Sequence, residues 1–543
     1  MSLHMIVRAF CVACFVSAIV GETHAQAPTL ILMGGKIFTG DSTRPWVQAV
    51  AIRGQRIVAI GSTVEVRRLS GRGRGTREIA LGGRVVIPGV NDAHDHLGEA
   101  GLGPDFHTGA SPTPDPATAQ VLDSVRALAA RTPAGTWLRT QVGMRVLSDS
   151  TVDRATLDRV APDHPVMLHG WWGHGMVLNS AALRALGITD GLAYALGGWY
   201  GRGPDGRLNG RLDEYAKWGA QRRLGATQPE AALVSALRVF ADSSLRMGVT
   251  SVQNMAGDLP PGLTLRVFRE ARLPIRIRLI RWSIPTATSM NVAEWDTVAT
   301  AVAPRVVVDG RKWVLDGTPI EQLALQRTPY PGRPSWYGRL NFPVDTVRAM
   351  LAAALRPGAP QLHLHIVGDS TAELVLGMME ALAPDSVWRA RRVRFEHATP
   401  ITGLQIARVA RLGIVIAQPR GAMPYRSWRA AGIPVAYGSD GFRYPFVHMT
   451  TVVTDGRNAE ETVSREEAVR IYTLGSAYAE RAEGEKGTLV PGKLADLAVL
   501  SQDIFTVPVQ ELAATRSVLT VVGGEVVYDG LTRPTTTSSA RRR

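Results

Sequence analysis

Apolar residues recur along this chain in two rhythms. Near both ends they form short runs broken by glycine: Leu30-Ile31-Leu32, Ala49-Val50-Ala51-Ile52 and Ile57-Val58-Ala59-Ile60 at one end, Leu497-Ala498-Val499-Leu500 and 518–522 at the other. Runs of that length and punctuation predict short antiparallel strands. Their shared texture predicts one small β-sandwich domain formed from both chain ends, residues 26–87 and 484–530. Between the ends, continuous apolar runs alternate with helical periodicity, the pattern of βα units around a parallel sheet. Eight strands are predicted, at 84–87 running on towards His96, 249–253, 275–281, 312–315, 362–366, 393–396, 414–417 and 435–438. Helices over 230–246, 345–355, 371–382, 403–412 and 465–479 fill the gaps. Eight such units predict an α/β fold of the TIM (β/α)8 barrel type over 88–483.

The first two predicted strands lie about 150 residues apart, far more than one crossover helix needs. A large insertion after strand 1 therefore occupies about 98–230; it is rich in Gly, Pro and Trp, carries His107, His164, His169 and His174, and is expected to form a lid or substrate wall. The Thr/Ser/Arg-rich tail, 531–543, is expected to be disordered.

Composition narrows the class. With 45% hydrophobic and 20% charged residues in 543, the chain has ample core for a large domain plus a satellite. Arg8 precedes an apolar run over 9–20 and the small residues of Thr23-His24-Ala25, which predicts a signal peptide over 1–25 and an exported, periplasmic or secreted protein. No other stretch is long enough to span a bilayer, so no stable membrane insertion is expected. Both cysteines, Cys11 and Cys14, fall inside that leader. The mature chain then has neither disulfides nor thiolates, and any metal must be held by His, carboxylates or modified Lys. The net charge of +14 is spread along the chain and clusters only at Arg72-Gly73-Arg74 and 541–543, so no nucleic-acid partner is expected.

Candidate chemistry sits at strand ends. In Asn91-Asp92-Ala93-His94-Asp95-His96, two histidines two residues apart on a strand share one face. At the C-terminal end of a barrel strand that face points into the catalytic mouth. The fifth strand ends in His363-Leu364-His365, the sixth in Glu396-His397 and the eighth in Ser439-Asp440. Convergence of imidazoles and a carboxylate from four strands is hard to explain as packing. Lys312 opens the predicted fourth strand, in a chain with only five lysines among 61 basic residues. Unlike arginine, lysine can lose its proton and react with CO2; once carboxylated it offers two oxygens that bridge two metals. His363 faces inward one layer deeper and reads as a packed or supporting histidine.

With these strand ends go two further runs, Gly34-Gly35-Lys36-Ile37 near the start and Gly487-Thr488-Leu489-Val490-Pro491-Gly492-Lys493-Leu494-Ala495-Asp496-Leu497 near the end. In combination they resemble the amidohydrolase superfamily, and within it amidohydrolase family 3, the branch that includes N-substituted formamide deformylases. The resemblance implies His94 and His96 on the more buried metal, carboxylated Lys312 as a bridge, His365 and His397 on a second metal, and Asp440 as ligand and proton shuttle. It implies a divalent cofactor, Zn2+ first among Zn2+, Mn2+ and Fe2+, as one ion or two. His174-Gly175-Met176-Val177-Leu178-Asn179-Ser180 resembles the branch's insertion motif, which makes His174 a candidate substrate contact; a solvated surface histidine is the alternative. The link from Gln418-Pro419 to Gly438 is short for the branch, and Thr318-Pro319-Ile320-Glu321 departs from its usual wording.

The implied reaction is hydrolysis of a non-peptide carbon–nitrogen bond in a small molecule by a metal-activated water. Lactone, carbamate or phosphotriester hydrolysis at the same site is the first alternative, and a non-catalytic exported binding protein the second. Gly201-Arg202-Gly203-Pro204-Asp205-Gly206 matches G-x-G-x-x-G, but no β-run is read before it and Pro204 breaks the helix it should open, so no dinucleotide site is expected. Substrate and oligomeric state, a homodimer included, stay open.

Overall fold

Both chain ends meet in one mixed sheet, as the computed structural model of residues 27–70, 75–97, 115–171, 173–398, 401, 403–417, 423–441, 443–454 and 458–532 shows. The expected signal segment, His107, Arg72 to Arg74, Gln418-Pro419 and the tail from 533 lie outside the described residues. The sheet runs in the order Glu525–Asp529, Ser517–Val522, Leu497–Leu500, Val85–Pro88, Leu30–Phe38, Trp46–Arg53, Arg56–Gly61. Leu30–Phe38 shifts register between Met33 and Ile37, pairing with Arg77–Ala80 before the shift and with Val85–Pro88 after it. The curled sheet encloses its own core, where Leu32 and Val50 from the first part of the chain meet Leu497 and Leu519 from the last.

The eight barrel strands are β1 (Val90–Asp95), β2 (Val249–Ala256), β3 (Arg276–Arg281), β4 (Val306–Val314), β5 (Leu362–Ile366), β6 (Arg394–His397), β7 (Val415–Ala417) and β8 (Val435–Ala436). Neighbours pair in parallel in that order. At the seam Ala93 N donates to Tyr437 O at 3.0 Å, and Asp440 N to His94 O at 2.8 Å. Gly438 is required there, because a Cβ on it would lie 2.4 Å from His94 N. The helix Glu230–Arg246 shows why the outer ring forms. It follows Pro229, and Leu233, Leu237, Phe240, Ala241, Ser244 and Leu245 recur at helical spacing on its buried face. Full burial of each such Leu contributes about 1.5–3 kcal/mol.

Three expectations are corrected. The run from 84 towards His96 is two strands: Val85–Pro88 belongs to the β domain and β1 to the barrel, because Gly89 N bonds Asp496 O while Val90 N bonds Gly248 O. Lys312 does not open the fourth strand. β4 starts at Val306, where a β-branched run pairs with Ala301–Ala303, and Lys312 stands near the C-terminal end of β4. A strand, Gly198–Arg202, does lead into the G-x-G-x-x-G match, but the chain returns through Leu208–Glu214 as a hairpin and opens no helix there.

The described part of the insertion folds as a five-stranded sheet, ordered Gly198–Arg202, Leu208–Glu214, Gly175–Leu178, Val166–Gly170, Leu138–Val142. Its two faces bury separate cores, one with Val125, Leu138 and Val166, the other with Met167, Leu178 and Leu212. The sheet hands over to the helix Tyr215–Ala226, whose Tyr215 hydroxyl accepts a hydrogen bond from Val314 N at 2.9 Å and so ties the insertion to β4. Among the described residues no helix is long and apolar enough to cross a membrane.

Candidate active site

The C-terminal ends of β1, β4, β5 and β6 and the loop after β8 bring His94, His96, Lys312, His365, His397 and Asp440 together. Single ligand atoms of His94, His397 and Asp440 lie within 4.8 Å of one another. Asp440 Oδ1 is 3.3 Å from His96 Nε2 and 3.7 Å from His94 Nε2, and Lys312 Nζ is 3.3 Å from the same His94 nitrogen. Ring centres of His365 and His397 are 4.5 Å apart, and those of His94 and His397 5.1 Å. His397 follows Glu396 directly, so strand alternation alone would send the two side chains to opposite faces. Left-handed backbone at His397 (φ 70°) and Ala398 (φ 47°) breaks that alternation, and Asp440 (φ 45°) sits in the same conformation. Each such residue costs of order 1–3 kcal/mol, which the surrounding structure sustains.

Two aspartates of the first motif fasten it to the end of the barrel. Asp92 accepts from His94 N (3.1 Å) and Ser439 N (2.9 Å); Asp95 accepts from Gly441 N (3.0 Å) and Arg443 Nε (2.7 Å). Burial, with Asp95 nearby, pushes the Asp92 carboxyl up to about 7.

Beneath the imidazoles lies a buried polar layer, of which sequence reasoning found His363 but not Glu396 or Arg394. Glu396 Oε2 is 2.6 Å from His94 Nδ1, and Glu396 Oε1 is 3.1 Å from His363 Nδ1. Arg394, two residues earlier on the same strand, pairs with Glu396 at 2.8 Å. Burial alone would raise the Glu396 carboxyl, but Arg394, His94 and His363 outweigh it and hold the group well below the usual carboxylate range. An ionised Glu396 accepts the Nδ1 proton of His94, which leaves the Nε2 lone pair facing the mouth. Burial, then Lys312, holds the His94 imidazolium well below its ordinary range, so the ring is neutral. His363 is thus placed one layer down, as a supporting residue. The signal for the two missed residues was the alternation Arg394, Glu396 on an inward face.

Above the cluster opens a cavity of about 560 Å3. Its apolar side is Trp218, Trp282 and the helix residues Leu237 and Phe240; its polar side comes from the insertion, with Arg139, His169 and Lys217. Lys312 Nζ stands 4.7 Å over the Trp282 ring, and burial lowers its amine to about 8. His174 is buried, not solvated. Its ring lies 4.6 Å from His365 and 5.2 Å from Trp218, and its Nδ1 is 2.9 Å from Glu214 Oε1. The insertion therefore supplies a wall of the cavity. His164 is elsewhere, bonded to Thr136 O.

The donor set fits a divalent ion. It holds four imidazoles, a carboxylate and a lysine without a thiolate, which suits zinc, manganese or iron. His365 Nε2 is buried without a hydrogen-bond partner, the state of a nitrogen whose partner is an ion.

The sequence profile of the amidohydrolase family matches residues 77–528. N-substituted formamide deformylase of Arthrobacter pascens is 26% identical, over 93% of this chain and 99% of its own. The fold resembles the crystal structure of an uncharacterized metal-dependent hydrolase from Pyrococcus furiosus, with a TM-score of 0.65 and 21% identity over 87% of this chain and 99% of that one. It also resembles atrazine chlorohydrolase from Arthrobacter aurescens TC1 complexed with zinc, with a TM-score of 0.52 and 18% identity over 93% and 96% of the two chains.

Proposed function

The chain belongs to the amidohydrolase family and is a metal-dependent hydrolase of carbon–nitrogen bonds other than peptide bonds, and on that premise we propose that it cleaves a small-molecule amide with an activated water at the mouth of the barrel. In this reading His94, His96, His365, His397 and Asp440 would hold one or two divalent ions, Zn2+ first, and Lys312, once carboxylated, would join them as a further ligand. The ion supplies Lewis acidity, which brings the pKa of water towards neutrality and polarises the scissile carbonyl. Asp440 takes the proton from the attacking water and returns it to the leaving nitrogen. His174 contacts the substrate. Trp218, Trp282 and Phe240 exclude water and accept an apolar substituent.

The observation that carries this reading is the convergence of four histidines, a lysine and an aspartate on one buried mouth under one cavity. Asp440→Asn tests it: turnover should fall about 10²- to 10⁴-fold while the metal content by elemental analysis stays near that of the parent. Near-normal turnover in that variant defeats the assignment of Asp440. A panel of chromogenic amides, esters and phosphotriesters ranks the electrophiles, and preference for a non-amide favours the lactone, carbamate or phosphotriester alternative. We further propose that the enzyme is exported, by way of residues 1–25, and that it works as a monomer or homodimer; cell fractionation and light scattering test these two points.

A further inference from the structure

The insertion gives the cavity a polar wall that neither the ion nor Asp440 needs. Arg139 and Gln141 alternate on the strand Leu138–Val142, and His169 stands directly across from Gln141 on Val166–Gly170. Residues so related share one face of a sheet, and all three line the cavity. Neighbours on that face, Met167, Met176 and Leu178, pack into an apolar core, so the polar side chains mark the part of the sheet that meets the cavity.

A second cation arrives from the helix Tyr215–Ala226. Lys217 and Gln221, one turn apart, both line the cavity, and the Lys217 ammonium donates to the Gln221 side-chain oxygen. Lysines are scarce in this chain, yet two of the five, Lys217 and Lys312, line this single cavity. Lys217 is 5% exposed and Arg139 6%. Such side chains ordinarily carry their charged heads out to water, so two held in one wall mark a surface made for more than solubility. The reacting centre is close by. A Cβ on Gly173 would lie 3.9 Å from Lys217 Nζ, and the next residue, His174, has its ring 4.6 Å from that of His365.

Charge is sorted across the cavity. Among the described residues that line it, the acids are Asp440, beside His94 and His96, and Asp258, just past the end of β2; both belong to the barrel. Arg443, also of the barrel, is turned to Asp95 at 2.7 Å. Arg139 and Lys217 belong to the wall that faces them. A substrate that spans the cavity therefore meets the ion site at one end, the rings of Trp218, Trp282 and Phe240 along its apolar side, and a guanidinium and an ammonium on its polar side. Arginine's planar fork matches the two oxygens of a carboxylate, and lysine adds a point charge to the same anion.

We infer that Arg139, His169 and Lys217 form a carboxylate subsite, so that the substrate is a small amide which also carries an anionic carboxyl group and an apolar side chain, the chemistry of an N-acylated amino acid. As a statement about substrate this rests on the hydrolase reading; the subsite itself does not. Held by its carboxylate, the amide is brought to the ion in one orientation, and binding is turned into positioning. A neutral amide of the same shape lacks that hold.

Racemic N-acetylphenylalanine and N-acetylphenylalaninamide differ at the carboxyl group alone, the first anionic and the second neutral. Their binding to the zinc-loaded Asp440→Asn protein is followed by quenching of tryptophan fluorescence, which needs no turnover. The acid should bind at least about 30-fold more tightly than the amide. Lys217→Met and Arg139→Met, each added to that background, should each cut this advantage at least about fivefold. Equal binding of the two probes, or no binding of the acid, overturns the inference. So does an advantage that survives both substitutions, because the carboxylate is then held elsewhere, on the zinc for example. Should neither variant fold, His169→Gln, at the half-buried member of the subsite, takes their place and must cut the advantage at least about twofold; an undiminished advantage there overturns the inference too. Failure of the hydrolase reading looks different: the acid is bound with its full advantage, but the parent cleaves neither it nor other N-acylated amino acids.

Discussion

Two buried glutamates in this molecule each grip a histidine through Nδ1, and their neighbours shift them in opposite directions. Glu396, at the heart of the barrel, has Arg394 at 2.8 Å and is ionised, so His94 carries its proton on Nδ1 and turns a lone pair to the mouth. Glu214, at the edge of the insertion, has Asn341 in place of an arginine, and burial pushes its carboxyl up to about 8. The same pair of side chains therefore meets a guanidinium on the barrel side of the cavity and a neutral amide on the insertion side, and the two carboxyls move apart accordingly.

The largest break in this comparison comes from Arg394→Met. It strips the cation from a carboxylate with no exposed surface, and removing one partner of such a pair costs about 3–5 kcal/mol, read as a loss of unfolding free energy in urea. A cost below about 1 kcal/mol shows that Glu396 does not need its arginine. Next is Glu396→Gln. It withdraws the charge that holds His94 in its Nδ1–H form and should weaken divalent-ion affinity about 10- to 100-fold, measured by competition with a chelating dye; unchanged affinity separates Glu396 from the ion site.

A third effect is a slope, small over any one pH unit. The Glu214 carboxyl is raised to about 8 when folded, above its ordinary value, so the folded state keeps a proton that the unfolded state has released. Its contribution to stability is whole below about pH 4, declines above that, and is gone once pH passes 8. The parent should lose stability relative to Glu214→Gln by at most about 1.4 kcal/mol per pH unit over that window. Parallel profiles from pH 5 to 9 place the charge on Glu214. The groups facing it are His174 and Asn341 in contact, with Lys217, Arg339, Asp213 and Glu321 beyond.

Much of the barrel was legible because its strands are apolar runs with their polar residues at the ends. The residue range of β5 and that of the helix Glu230–Arg246 were read from the sequence without error. Meeting of His94, His96, Lys312, His365, His397 and Asp440 at one mouth was also legible, since each stands at a predicted strand or close to its end. What failed was the detail that particular partners outside the local pattern impose. Glu396 and His94 are 302 residues apart, and nothing local marks either as the other's neighbour. The strand break at Gly89 shares that cause, a bond to Asp496, whereas the early start of β4 is set by a short hairpin with Ala301–Ala303 just before it. Glu214 was invisible for a different reason, because in Leu212-Asp213-Glu214 it reads as one more acid on an alternating strand.

The seam of the barrel has a consequence for the order of events in the life of the chain. His94 and Asp440 are joined there by a main-chain bond, Asp440 N to His94 O. One stands on the first barrel strand to be synthesised and the other follows the last barrel strand. An unfinished or half-folded chain can therefore display its early histidines but cannot assemble the cluster, since the closing strand brings the final group. The cluster is thus the last thing the barrel completes, once its two ends have found each other.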